Sequence, residues 1–252
     1  MNDGDGRATV LARIRLAASF LTILPVAEER SHTPADVAAS FGWFPLVGFA
    51  IGGALTIEYY LLGFIWARLL RSDLVVMTLV IATGGLHLDG LADTCDALGA
   101  GRNRARALEI LRDSRIGTFG ACGLFFVLAL KIFAIARYGG WSPYAALWLA
   151  PALARWAMVA LAQRLDYLRS EGAGTTLLAH DDRRGFVLAS IIVVVGSLPI
   201  LGGHALRAFI VAGALTWALG AFYRRWLGGV TGDLIGAAGE VIETAVLIAM
   251  CV

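Results

Sequence analysis

The sequence predicts an all-α polytopic membrane protein with about seven transmembrane helices, six on the narrowest count, and an N-terminal interfacial helix. Three observations carry that prediction. The 252 residues are 58% hydrophobic and only 16% charged, with a mean hydropathy of +0.73. Soluble domains carry about 25% charged residues, so this chain lacks the polar surface to be dissolved in water, and a bilayer is its natural solvent. Apolar runs near the length needed to cross about 30 Å of hydrocarbon recur along the chain. Finally, the arginines between those runs alternate from one side to the other.

The apolar stretch from Val10 to Val26 comes first, broken by Arg13 and Arg15. It suits a helix lying in the interface better than a span. Asp3 and Asp5 precede it, so it does not read as a cleavable signal. Seven candidate spans follow: Phe44–Trp66, Asp73–Leu88, Gly117–Ala136, Trp141–Ala162, Gly185–Leu201, Ala205–Tyr223 and Leu234–Val252. The second and fifth are short. Gly202-Gly203 makes a tight turn between the fifth and sixth, which form a hairpin.

Positive charge then sets the orientation. Arg7, Arg13, Arg15 and Arg30 precede the first span. Arg102, Arg104, Arg106, Arg112 and Arg115 lie between the second and third, Arg164, Arg169, Arg183 and Arg184 between the fourth and fifth, and Arg224 and Arg225 between the sixth and seventh. These total fifteen, against four (Arg68, Arg71, Arg137 and Arg207) in the other connections. The positive-inside rule therefore predicts a cytoplasmic N-terminus and an outward C-terminus. Net charge is only +2, which argues against a nucleic-acid partner. Cys95, Cys122 and Cys251 are far apart, without metal-ligand spacing, and read as reduced packing residues. No linker, repeat or low-complexity tract divides residues 1–252, which read as a single integral membrane domain.

Three polar segments carry candidate chemistry. In the first, Gly84 to Gly99, Asp89, Asp93 and Asp96 fall at i, i+4 and i+7. A helix puts all three on one face, where like charges repel unless a cation sits among them. Mg²⁺ suits such a site, because it uses one or two carboxylates together with substrate phosphates. A solvated acidic helix start is the plainer alternative. In the second, Glu109 and Asp113 are one turn apart, and Arg112 and Arg115 at i, i+3 offer two guanidinium forks to phosphate oxygens. In the third, Asp233, Gly236, Glu240 and Glu243 share a helical stripe, and the two glutamates enter an apolar span. Membrane acids of that kind usually face the bundle interior and serve function. His87 is a candidate base or a hydrogen-bonded interface residue. Arg155 lies mid-span, suited to an anion or to an internal salt bridge with an acid such as Glu240. Lys131 is expected to snorkel to the interface, and His180, Asp181 and Asp182 to form a solvated loop.

The runs GGLHLDGLADTCDALGAG, ALEILRDSRIGTFGA and GGVTGDLIGAAGEVIE together resemble the cobalamin synthase family, the adenosylcobinamide-GDP ribazoletransferases. Phe20–Val26, Phe44–Gly48 and Tyr167–Gly174 are similar to that family as well, so the resemblance extends over nearly the whole chain, in order. Cys95, Leu168 and Ala173 depart from its pattern. The resemblance implies a single membrane transferase domain in the bacterial cytoplasmic (inner) membrane, with its active site facing the cytoplasm. It also implies Mg²⁺ dependence and the joining of adenosylcobinamide-GDP to α-ribazole, or its 5′-phosphate, with release of GMP. On it, metal binding goes to Asp89, Asp93 and Asp96, with Asp113 and Asp233 as a second group. Substrate contacts go to Arg112, Ser114, Arg115, Glu109, Arg169 and Glu240, and the base is one of the carboxylates or His87. The partners are these small molecules and the lipid bilayer, and a homo-oligomer is left open. A CDP-alcohol phosphotransferase is the nearest alternative, but no Ala-Arg follows Asp89-Gly90 at the required spacing. A cation-coupled transporter is another, but the acids cluster at span ends and no inverted repeat is visible.

Overall fold

A computed structural model describes residues 9–26, 33–101, 103–113, 115–137, 142–168, 183–200 and 202–251. Ser114, Arg169, Arg7, Arg30, Arg102, the His180–Asp182 run and most of the Tyr167–Gly174 stretch lie outside the described residues. The described chain is all-α. One isolated parallel bridge joins Tyr167 to Val230.

Helix α1 (Val10–Leu21) starts where the Thr9 side chain accepts a hydrogen bond from the Ala12 amide. It buries Ala12, Leu16, Ala17 and Leu21 while leaving Val10 and Leu11 exposed. Its 12 residues reach only about 18 Å, as expected of an interfacial helix. Helix α2 (Pro34–Ser40) opens with a capping box between Thr33 and Asp36. It runs through a 3₁₀ turn (Phe41–Trp43) into α3 (Phe44–Leu62), so the first span extends upstream of Phe44 to cover Ala35–Leu62.

The second expected span, Asp73–Leu88, is corrected. Helix α4 (Arg68–Ala82) stops at Thr83, and after a 91° bend α5 (Leu86–Leu98) begins. Gly84 and Gly85 form the bend with φ of +62° and +67°, a region that side chains with a Cβ rarely enter. The Asp-bearing segment is therefore a separate helix, turned by 91° from the line of α4. Then come the short α6 (Arg104–Ile110), α7 (Thr118–Arg137), α8 (Ser142–Arg164), α9 (Arg183–Ser197), α10 (Gly203–Trp226) and α11 (Gly232–Cys251).

Six of these helical segments are long and apolar enough to cross a membrane. Contacts at the helix ends give the direction of the remaining crossing. The Tyr59 hydroxyl, near the end of α3, donates to the Ile135 carbonyl near the end of α7 (3.4 Å). The Arg71 guanidinium of α4 stacks on the Tyr59 ring, 4.0 Å from its centroid. On the opposite face, the Ile23 amide donates to the Ala82 carbonyl at the end of α4 (2.9 Å). Helix α4 thus runs from one face to the other, although its 15 residues span only about 22 Å. Six crossings are carried by single helices, and the bent pair of α4 and α5, counted as one broken span, makes a seventh.

Burial shows which helices meet lipid. Within their apolar windows, 83% of α8 and 78% of α11 is buried, against 22% of α7, α9 and α10. The core is therefore α8 and α11, flanked by α3, and the less buried helices present their outer faces to the bilayer. Arg104, Arg164 and Arg224 meet where α6, α8 and α10 end or begin. Arg104 Nε donates to the Leu227 carbonyl (2.8 Å), Arg224 Nη2 to the Arg164 carbonyl (3.0 Å), and the Trp226 indole to the Gly101 carbonyl (3.0 Å).

Candidate active site

Helix α5 places its three carboxylates on one stripe, but they have different surroundings. Asp96 accepts from the Gly117 amide (2.6 Å) and the Gly120 amide (2.9 Å). These amides open α7 and have no partner within that helix, so Asp96 caps a transmembrane helix with a charge suited to its positive end. Asp89 is exposed and Asp93 half-buried, and both line an open cleft of about 460 Å³ in the elbow between α4, α5 and α7. Among the described residues no three His, Cys, Asp or Glu side chains converge tightly enough to hold a metal by themselves. Two acids on a cleft nonetheless fit Mg²⁺, which keeps several waters and takes further ligands from substrate phosphate.

The start of α11 is pressed against α5. A Cβ placed on Gly90 would lie 2.8 Å from the Asp233 carbonyl oxygen and 2.9 Å from its Cα. Glycine is thus what lets the two backbones meet and brings Asp233 beside the Asp89–Asp93 turn. Thr231 prepares the helix start, accepting from the Leu234 amide (3.3 Å) while its hydroxyl donates to Asp233 (3.4 Å). His87, 5% exposed, is enclosed where α5 meets Gly236 of α11. It therefore lies behind the acids and not on the cleft wall.

The connection before α7 departs from the helical spacing expected of it. Asn103 caps α6 by accepting from the Arg106 amide (3.1 Å), but the helix ends at Ile110. Glu109 remains on the surface, paired with Arg106 at 2.8 Å, an exposed pair of the kind worth little to stability. Asp113 and Arg115 sit in the loop and pair with each other, with Arg115 Nη2 at 2.6 Å and Nε at 3.0 Å from the carboxylate. Hydrogen bonds from the Arg115 side chain and backbone hold the Asp113 carboxyl down to about 2. Arg115 is thus already matched by a carboxylate. Arg112 is exposed, and its guanidinium has no partner among the described residues.

Deep in the bundle, Lys131 bonds Glu240 (2.7 Å) and Glu243 (2.6 Å), and Arg155 bonds the other oxygen of Glu243. All four are buried. The expected snorkelling of Lys131 is therefore corrected: a 2% exposed ammonium has found two carboxylates in place of the interface. Arg155 forms the internal salt bridge that was one of its two readings, with Glu243 as the partner. Glu240, expected to touch substrate, has its carboxylate turned to Lys131. Sequence reasoning anticipated the Arg155 salt bridge but left Lys131 out of the network. Two cations and two acids in otherwise apolar spans, equal in number, were the available signal.

The chain matches the cobalamin-5-phosphate synthase family model over residues 13–251. It is 37% identical over 238 residues to the adenosylcobinamide-GDP ribazoletransferase of Desulforamulus reducens, covering 94% of this chain and 95% of that one. The protein of the same name from Syntrophobacter fumaroxidans is 38% identical over 237 residues, covering 92% and 94% of the two chains. The Escherichia coli K12 protein of that name is 37% identical over 237 residues, covering 92% and 96%. No solved structure matches the chain.

Proposed function

The chain belongs to the cobalamin-5-phosphate synthase family, and from that premise we propose that it joins adenosylcobinamide-GDP to α-ribazole, or to its 5′-phosphate, with release of GMP. A ribose hydroxyl attacks the phosphorus bound to the cobinamide arm. The new P–O bond forms, the bond between the two phosphates breaks, and GMP leaves with the electron pair. The hydroxyl proton passes to a carboxylate. The observation that carries this reading is the cleft bordered by Asp89 and Asp93, on a helix whose Gly90 packs against the Asp233 backbone.

Transfer at phosphorus depends mainly on positioning and charge stabilisation. Asp89 and Asp93 are the residues that would hold Mg²⁺, with Asp233, whose backbone packs on Gly90 between them, as the further candidate. Mg²⁺ held there would supply positive charge to offset the negative charge that develops during the transfer. Arg112, exposed in the loop between α6 and α7, would meet phosphate oxygens as the diphosphate binds. Asp96 fixes where α5 meets α7, and so where the other two acids stand. The basic face is the cytoplasmic one under the positive-inside rule, which puts the site at the inner surface of the cytoplasmic membrane.

The test is reconstitution of the full chain in liposomes, supplied with adenosylcobinamide-GDP, α-ribazole and Mg²⁺. Ribazole-dependent release of GMP with formation of adenosylcobalamin is expected. GMP release that ignores ribazole, or none at all, would overturn the transferase assignment.

A further inference from the structure

A groove of about 350 Å³ runs between the last turns of α8 and α10. Its mouth is basic, lined by Arg164 at the end of α8 and Arg224 in the last turn of α10. Arg224 Nη2 donates to the Arg164 carbonyl (3.0 Å). Neither guanidinium forms an ion pair with a carboxylate among the described residues. A helix C-terminus favours a nearby cation, but a guanidinium carries five N–H donors, and that carbonyl occupies few of them. Below the mouth the lining turns apolar, with Leu161 and Leu165 on α8 and Trp217 and Gly220 on α10. Trp217, two turns before Arg224 and 69% exposed, puts the lower end of the groove about 10 Å below its mouth. Gly220 keeps the floor open: a Cβ there would lie 3.2 Å from Leu161 Cδ2 and 3.9 Å from Leu165 Cδ1.

Only 22% of the apolar window of α10 is buried, so lipid covers this groove, and the charge at its mouth decides which lipid. Basic pockets between transmembrane helices on the cytoplasmic side suit phosphate headgroups, and the positive-inside rule puts these two helix ends on that side. A zwitterionic headgroup would bring an ammonium against two guanidiniums. A headgroup whose only charge is its phosphate avoids that repulsion. We propose that the groove between α8 and α10 binds one anionic phospholipid, with its phosphodiester on Arg164 and Arg224 and one acyl chain along Gly220 between Leu161 and Trp217. The site is independent of the transferase reading. It also meets the segments that follow both helices, because the Leu168 amide donates to the Val230 carbonyl (2.9 Å) and the Val230 amide to the Asp166 carbonyl (2.8 Å). The second of those segments leads into α11 at Gly232. A phosphate shared by Arg164 and Arg224 therefore clamps the helix ends that these bonds join.

The experiment titrates the full chain in mild detergent with phosphatidylglycerol or with phosphatidylcholine of the same acyl chains. Thermal unfolding reports stabilisation, and native mass spectrometry reports retained lipid; neither needs turnover. Phosphatidylglycerol should raise the unfolding midpoint saturably, with one molecule retained per chain, and phosphatidylcholine should not. Arg164→Gln keeps the carbonyl that Arg224 bonds. It should raise the phosphatidylglycerol concentration for half-maximal stabilisation at least about tenfold, the loss of one charged contact. Gly220→Val keeps both charges but fills the floor, and should weaken retention as well; Ala221→Leu fills the same groove if Gly220→Val does not fold. Arg225→Gln removes an exposed charge from the same helix end outside the groove and should bind as wild type does. Equal stabilisation by phosphatidylcholine would overturn the site. So would equal losses in Arg225→Gln and Arg164→Gln, which would reduce the effect to general surface charge. Stabilisation by water-soluble glycerol 3-phosphate, or unchanged retention with the groove filled, would show a free-anion site without an acyl chain and overturn it too.

Discussion

Glu243→Leu is the most informative perturbation of the bundle interior. Glu243 accepts from Lys131 at 2.6 Å and from Arg155, with its side chain 2% exposed. Removing it leaves Arg155 with a long contact to the Pro151 carbonyl (3.5 Å), while Lys131 keeps Glu240 (2.7 Å). Breaking a buried ion pair from one side costs about 3–5 kcal/mol, because the stranded partner stays desolvated. Glu240→Leu is a milder change, since Lys131 still holds Glu243. Losing one charged hydrogen bond costs about 1.5–3 kcal/mol. At roughly 2–4 °C per kcal/mol for a chain of this size, the unfolding midpoint should fall by about 6–20 °C in Glu243→Leu and by about 3–12 °C in Glu240→Leu. Thermal unfolding in detergent, followed by tryptophan fluorescence, measures both. The double variant Arg155→Leu with Glu243→Leu should recover part of the loss, since it removes the stranded cation. If Glu240→Leu costs as much as Glu243→Leu, or if neither moves the midpoint, the network does not hold the bundle together as described.

Three further outcomes follow from the same geometry. Gly90→Val should push α5 off α11, because even a Cβ would lie 2.8 Å from the Asp233 carbonyl. Overpacking of about 1–3 kcal/mol and a large fall in GMP release are expected, while Gly213→Ala, with nothing within 4 Å of the new methyl, should match wild type in both. Cysteines placed at Arg68 and Arg104 should be labelled from opposite sides of sealed vesicles; labelling from one side would make α4 and α5 a re-entrant pair and leave six crossings. Asp113 is held down to about 2 by Arg115. A lowered carboxyl keeps its contribution at all pH above its ordinary range and loses it only as pH falls through the shifted value, so a carboxyl NMR titration should show no Asp113 midpoint near its usual value of about 4.

The all-α membrane class was legible because lipid demands it. Crossing hydrocarbon needs long apolar runs with every backbone group bonded inside the helix, and those runs are visible in the sequence. The bend between α4 and α5 was hidden, since the apolar run continues past Thr83 to Leu88 and hydropathy does not register backbone direction. Gly84-Gly85, read for φ instead of hydropathy, was the clue. The shared face of Asp89, Asp93 and Asp96 was readable from spacing alone, and α5 is helical over all three. That Asp96 turns to two amides of α7 was not readable, because backbone donors have no side-chain signature. Lys131 was misjudged for a related reason: its partners stand 109 and 112 residues away in sequence, so no local pattern joins them. The pairing of Arg115 with Asp113 depends on α6 stopping at Ile110, and helix ends are the least visible feature of a short polar segment.

A Mg²⁺ titration of GMP release in Asp93→Asn and Asp96→Asn tests the central claim most directly. The two residues lie three positions apart on one helix, yet one lines the cleft and the other caps α7. Asp93→Asn should raise the Mg²⁺ concentration for half-maximal activity at least about tenfold, the loss of one charged ligand contact, with thermal stability near wild type. Asp96→Asn should lower the unfolding midpoint and leave the Mg²⁺ midpoint where it is. An unchanged Mg²⁺ midpoint in Asp93→Asn, or a shift in Asp96→Asn alone, would contradict the division of roles and remove the metal from the cleft.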